Sequence, residues 1–279
     1  MNSTNTASAI PAVKLNDGSE IPMIAYGLGT ANFKKGGRTD YDENAFNCAL
    51  TAINSGFYHL DGASAYGNEE ELGAAIRASS VPREKLYVVT KLNGWKKQDV
   101  QNAFDTSMKK LGLDYVDLYL IHAPFFAEKA EDLQEAWATL EAIKGSGRAK
   151  SIAINQIEYH PYLQHGNLVE YHHKNNIALS AYAPLTAIIR ARPGPVDALY
   201  ANLASKYGVT EGDIALRWCI DQNIVAITTS SSEERLKSYM ANVWSFKLAS
   251  EEIEGISMMG KQKHFRAFQN QWIAEGDWR

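Results

Sequence analysis

The chain has 279 residues, 45% of them hydrophobic and 22% charged, a balance that suits a folded globular protein and argues against disorder. Its 28 Lys and Arg against 32 Asp and Glu leave a net charge of −4 with no concentrated basic stripe, which sets nucleic-acid binding aside. Cys48 and Cys219 are the only cysteines, too isolated for a disulfide framework or a zinc site, and they fit buried thiols in a reducing compartment.

The first ten residues, MNSTNTASAI, are small and polar with neither a basic start nor an apolar core, so residues 1–12 read as a flexible tail and not as a targeting signal. No run approaches the roughly twenty apolar residues needed to cross a bilayer, and the expected address is the cytoplasm, away from membranes. "VKLNDGSEIP" (Val13–Pro22) places a turn sequence between two short apolar-bearing arms and predicts a hairpin. "MIAYGLGT" then precedes "DENAFNCALTAINSGF", which has helical spacing at Ala45, Cys48, Ala49, Ala52 and Ile53.

The same alternation continues. "YHLDGA" precedes "NEEELGAAIRA", "LYVVTKL" precedes "KKQDVQNAFDTSMKKLGL", and "YVDLYLIHAP" precedes "EDLQEAWATLEAIKGSG". Further on, "IALSAYAPL" precedes one long helical stretch, "PVDALYANLASKYGVTEGDIALRWCIDQ", and "IVAITTSS" precedes "SEERLKSYMANV". Short buried strands alternating with amphipathic helices predict a parallel sheet covered on both faces. Counting "AKSIAINQIEYH" as one strand gives seven strand–helix units, close to the eight of a (β/α)8 TIM barrel. "YGLGTANFKKGG" lacks the G-x-G-x-x-G spacing of a Rossmann domain. With no linker or low-complexity break, residues 13–279 are expected to form one α/β barrel domain.

Chemistry in such barrels sits where the strands' C-terminal ends meet the loops. There the second strand ends at Asp61 with Tyr66 five residues later, the third at Lys91, the fourth at His122 and the penultimate one at Tyr182. Singly, Asp61 suits a helix cap, Lys91 a snorkelling side chain, His122 a satisfied core histidine and Tyr66 packing. Together they suit one task. A tyrosine hydroxyl titrates near 10 and donates a proton poorly at neutral pH. A nearby ammonium stabilises the tyrosinate, and lowering the pKa by about three units needs roughly 4 kcal/mol. With Lys91 anchored by Asp61, Tyr66 is expected to be acidified and His122 to hydrogen-bond a carbonyl oxygen. The set suits protonation of that oxygen as hydride reaches its carbon.

With "GFYHLDGASAYGNEEELG", "VVTKL", "DLYLIHAP" and "NQIEYHPYL", the chain resembles the aldo-keto reductases from about Val13 to its C-terminus. The resemblance implies that Asp61, Tyr66, Lys91 and His122 form a catalytic tetrad, with Tyr66 as general acid. It implies a nicotinamide cofactor, NADPH with NADH left open, and a small-molecule carbonyl substrate. Tyr182 matches the aromatic that stacks on nicotinamide, Gln156 the amide that holds its carboxamide, and Thr30 lies in the first-strand loop. Where the family often reads Ile-Pro-Lys-Ser, this chain has "ITTSSSEER", with Thr229 at the Lys position, Ser230 matching, and Arg235 at a phosphate-facing Arg. The serines before the last helix also suit an anion or an ordinary helix cap. Trp95, Phe125 and Phe126 follow the third and fourth strands and are expected to line the substrate pocket or plug the barrel mouth. "HAPFF" puts Ala123 where the family often has Trp, which leaves room for a bulkier ketone, as in the microbial ketoreductases.

One stretch departs from the family. It normally has a fifth strand ending in Ser-Asn, a helix, and then a sixth strand into "NQIEYHP". Here "AKSIAINQIEYHPYL" runs both together, and a strand–helix unit near Ile154 appears lost. Paired parallel neighbours need a crossover of a dozen residues or more, so the run is expected to form a single strand. Opening on the order of 400 Å² of apolar surface would cost roughly 10 kcal/mol, against the 5–15 kcal/mol that a domain typically has. Three outcomes follow: a poorly folding product, a working variant that closes the gap by rearrangement or self-association, or a scaffold that binds cofactor or a partner without turnover. Weakened cofactor binding is expected, because at least one carboxamide contact is lost.

Overall fold

The computed structural model describes residues 10–93, 100–152 and 154–268. The expected hairpin forms from β1 (Ala12–Lys14) and β2 (Glu20–Pro22), antiparallel with Val13 opposite Ile21. Then come β3 (Ile24–Gly27), α1 (Glu43–Asn54), β4 (His59–Asp61), α2 (Glu69–Ala78), β5 (Tyr87–Leu92), α3 (Val100–Leu111), β6 (Val116–Ile121) and α4 (Ala130–Gly145). In α1 the Asp42 carboxylate accepts from the backbone N–H groups of Asn44 and Ala45, capping the helix start. Its buried face is Ala45, Cys48, Ala49, Ala52 and Ile53, the set given by the sequence periodicity.

The run at Ala149 yields two strands, β7 (Ala149–Ser151) and β8 (Ile154–Glu158). After them come α5 (Leu168–Lys174), β9 (Ala178–Tyr182), α6 (Thr186–Ile189), α7 (Asp197–Tyr207), α8 (Glu211–Ile220), β10 (Ile224–Thr228), α9 (Glu233–Asn242) and α10 (Ser250–Gly260). The single long helix expected at 195–222 is therefore two. Gly208 ends α7 in the left-handed region, φ 67°, and Thr210 with Asp213 forms a capping box that starts α8.

Eight parallel strands make one sheet in the order β7-β6-β5-β4-β3-β10-β9-β8. Since β10 pairs with β3, Ala226 opposite Ile24, the sheet curls back on its own start, as in a (β/α)8 barrel. The two ends of that order, β7 and β8, share no ladder, although only Ile152 and Ala153 separate them in the chain. From Ser151 to Ile154 the chain spans at most about 10 Å, so the two sheet edges stand side by side, joined covalently.

The expectation of a single strand is thus corrected, while the loss of the helix between the two strands stands. Residues 149–151 pair with β6 as a fifth strand would, ending at Leu118 opposite Ser151. Residues 154–158 pair with β9 as a sixth would, Gln156 opposite Ser180. The crossover requirement holds only for strands that pair with one another, and these do not. Past Leu118, β6 continues to Ile121, and none of the described residues pairs with it on that side.

Candidate active site

The loop after β4 is built to hold one side chain. Residues 64–66 make a 3₁₀ turn that ends at Gly67 in the left-handed region, φ 71°. Ser64 Oγ donates to the Lys91 carbonyl at 2.8 Å, which ties this turn to β5. Across from it, Asn68 Nδ2 donates to the carbonyls of Leu28 (3.1 Å) and Asn32 (2.8 Å), fixing the first-strand loop against the turn. Gly29 lies in that loop. A Cβ there would stand 2.6 Å from Tyr66 Cζ, so the absence of a side chain at residue 29 makes room for the phenol.

Lys91 is fully buried, and all three of its N–H donors are used. Nζ donates to Asp61 Oδ2 at 2.8 Å, to the Gly62 carbonyl at 2.8 Å and to Tyr66 Oη at 3.2 Å. Burial alone would lower the lysine's pKa, but Asp61 and Tyr66 outweigh it and raise it above the ordinary value, so the ammonium persists at neutral pH. The His122 ring meets the Tyr66 ring edge-on, centroids 5.4 Å apart. Its Nδ1 is buried without a hydrogen-bond partner among the described residues. Asp61, Tyr66, Lys91 and His122 therefore share one place at the strand ends.

The expected acidification of Tyr66 is not what the free protein has. Burial is the largest influence on the phenol and raises its pKa; Lys91 pulls it back only in part. The phenol thus stays protonated at neutral pH, and the ammonium beside it serves to stabilise the phenolate left once a proton departs.

Gln156 borders the main cavity, and its amide already has one partner there. Its Nε2 donates to Asp61 Oδ1 at 2.9 Å, so its amide serves the carboxylate that anchors Lys91. Asn155 turns to α5, where its Nδ2 meets His172 Nε2 at 3.0 Å.

A cavity of about 790 Å³ spreads from Tyr66 and His122 past Thr30 and Tyr182 to Thr228 and Thr229. Phe125 lines it and is 42% exposed at its mouth. Phe126, its neighbour in the same 3₁₀ turn, packs against the hydrophobic core and lines neither this cavity nor the one beside α4, which corrects its expected pocket role. Trp95 lies outside the described residues. Ser230 and Arg235 are not in the cavity wall. Ser230 Oγ accepts from the Ser232 backbone N–H (3.0 Å), and Ser232 caps α9 by accepting from the Arg235 N–H (3.2 Å), so the helix-cap reading holds for Ser232.

The sequence reading missed the far wall. Glu158, buried at the end of β8, accepts from the backbone N–H groups of Ala267 (2.7 Å) and Phe268 (3.0 Å). This clasp sets the Phe268 ring edge-on to Tyr182, centroids 5.8 Å apart. An acid inside the apolar-bearing run "INQIEYHP" was the available signal, since such a carboxylate needs donors.

Two buried histidines give this region a pH dependence. His59, whose Nδ1–H donates to the Pro22 carbonyl at 3.0 Å, and His122 are both pushed down to about 4, chiefly by burial. In the unfolded chain each protonates near 6.5. Between about pH 6.5 and 4 the unfolded state binds more protons, so stability is full above this window and falls as pH drops through it. Urea midpoints measured from pH 7 downward should decline across that interval; a flat profile would mean that both rings protonate within the fold.

The model of the aldo/keto reductase family matches residues 25–155 and again residues 149–260. The two matches overlap at 149–155, so one stretch answers to two places in the family pattern. An NAD/NADP-dependent indole-3-acetaldehyde reductase of Schizosaccharomyces pombe is 35% identical over 90% of this chain and 96% of its own. A glycerol 2-dehydrogenase (NADP(+)) of Saccharomyces cerevisiae is 29% identical over 90% of this chain and 91% of its own. The crystal structure of a Bombyx mori aldo-keto reductase in complex with NADP superposes with a TM-score of 0.78, at 31% identity over 89% of this chain and 92% of that one.

Proposed function

Because the chain belongs to the aldo-keto reductase family, we propose that it reduces a ketone or aldehyde to the alcohol with NADPH, using Tyr66 as general acid. The observation that carries the reading is the ammonium of Lys91, held by Asp61 and donating to the Tyr66 oxygen inside the main cavity. When bound, the cofactor supplies hydride to the carbonyl carbon. Tyr66 Oη gives its proton to the carbonyl oxygen, and the ammonium at 3.2 Å stabilises the phenolate that remains. His122, neutral at physiological pH, donates a hydrogen bond to the same oxygen and orients it.

The residues present fit a nicotinamide dinucleotide. The cavity reaches from the Tyr66 hydroxyl to the second half of the β10 end, and the buried Thr228 hydroxyl in its wall has no partner among the described residues. Thr30 and Tyr182 would hold the nicotinamide end. The exposed Arg235, in the first turn of α9, would meet the adenosine phosphate by charge, while Ser230 is buried with its hydroxyl on the Ser232 N–H. The exposed Phe125 and Phe33 beside the mouth suit a substrate with an aromatic or bulky apolar group.

A second reading, a cofactor-binding protein with impaired or absent turnover, is favoured by one contact: Gln156, in the cavity wall, already donates to Asp61, which leaves its amide only in part for a carboxamide. The two readings separate in one experiment. NADPH consumption with a panel of aromatic aldehydes and ketones, run beside NADPH fluorescence on binding, should show both binding and oxidation. Binding with no oxidation across the panel would establish the second reading, and the same assay with NADH decides cofactor preference.

A further inference from the structure

A second cavity, of about 540 Å³, lies between β6, the amino-terminal half of α4 and β8. We propose that this cavity is a separate small-molecule site, one that takes a neutral aromatic ligand bearing a carbonyl or amide group.

Size, lining and charge each point that way. The volume falls in the range of ordinary ligand pockets, about 300–1,000 Å³. Its apolar walls are Ile121, Ala123 and Pro124 on one side and Leu133 and Trp137 of α4 on the other. Trp137 is 40% exposed, so its indole face is open to a flat partner. Besides Lys91, the polar side chains of the wall are His122 and the amides of Gln134, Asn155 and Gln156. Asn155 Nδ2 already meets His172 and Gln156 Nε2 already donates to Asp61, so the Gln134 amide, which both donates and accepts, is the one best placed to meet a ligand. Lys91 reaches the wall from inside the barrel, but its three donors are already taken by Asp61, Gly62 and Tyr66. Among the described residues no unpaired formal charge therefore faces the cavity, which disfavours an ionic ligand and suits a neutral one with one or two hydrogen-bonding atoms. His122, Ala123, Pro124 and Gln156 also border the main cavity, so the two spaces share a wall.

Benzamide serves as the probe, with the full chain labelled with ¹⁵N and the Trp137 indole N–H resonance assigned through Trp137→Phe. Titration should move that resonance saturably. Leu133→Trp and, independently, Gln134→Trp, each placed to fill the cavity from α4, should weaken the apparent affinity at least tenfold, while Tyr182→Ala in the main cavity should leave it unchanged. The proposal is overturned if the resonance stays fixed up to the solubility of benzamide, if both filling variants bind as the parent does, or if Tyr182→Ala alone abolishes the response. None of these readouts requires turnover, so they stand apart from the reductase assay.

Discussion

Tyr66→Phe is expected to lower carbonyl reduction by roughly 10²–10⁴-fold, the range that a positioned general acid contributes, while nucleotide binding changes little. The substitution removes only the hydroxyl. The ring keeps its place under Gly29 and beside His122, and Lys91 retains two of its three acceptors. Steady-state rates with the best substrate of the panel, set beside NADPH fluorescence titrations, check this. Turnover equal to the parent's would remove Tyr66 from the mechanism. Proton transfer needs no acidic phenol in the resting protein: burial holds the proton on until a carbonyl arrives, and the ammonium then favours its departure.

Lys91→Met should strongly destabilise the fold. The Lys91–Asp61 pair is almost wholly buried, with Nζ and Oδ2 2.8 Å apart. Taking away the cation leaves the carboxylate buried with, among the described residues, only Gln156 donating to it, at Oδ1. Breaking such a pair typically costs about 3–5 kcal/mol, a large part of the 5–15 kcal/mol that stabilises a domain. Urea unfolding should show that loss, and Asp61→Asn combined with Lys91→Met should recover part of it because no lone charge remains. A single variant as stable as the parent would mean that Asp61 finds another partner or is neutral in the fold.

The sequence made the barrel and the site legible to different depths. Strands and helices read well because their burial follows period two or 3.6, as the α1 face from Ala45 to Ile53 does. The grouping of residues 61, 66, 91 and 122 could be read because charged and polar groups directly after apolar strand segments are rare without a task. What local reasoning got wrong has identifiable causes. The crossover rule was applied to β7 and β8 as if they were paired, whereas each pairs with a different neighbour. Phe125 and Phe126 are adjacent in one tight turn, and only the tertiary packing separates the one at the mouth from the one on the core. The direction of the Tyr66 shift turned on how deeply the phenol is buried, which no spacing reveals. The clasp at Glu158 joins residues over a hundred positions apart through backbone groups, which leave no mark on side-chain identity.

That last arrangement bears on how the protein can change over generations. Glu158 grips amide hydrogens, which every residue except proline supplies, so the identities at 267 and 268 are interchangeable as far as anchorage is concerned. The side of the mouth that faces Tyr182 can therefore be recut, one side chain at a time, without unfastening the segment that carries it.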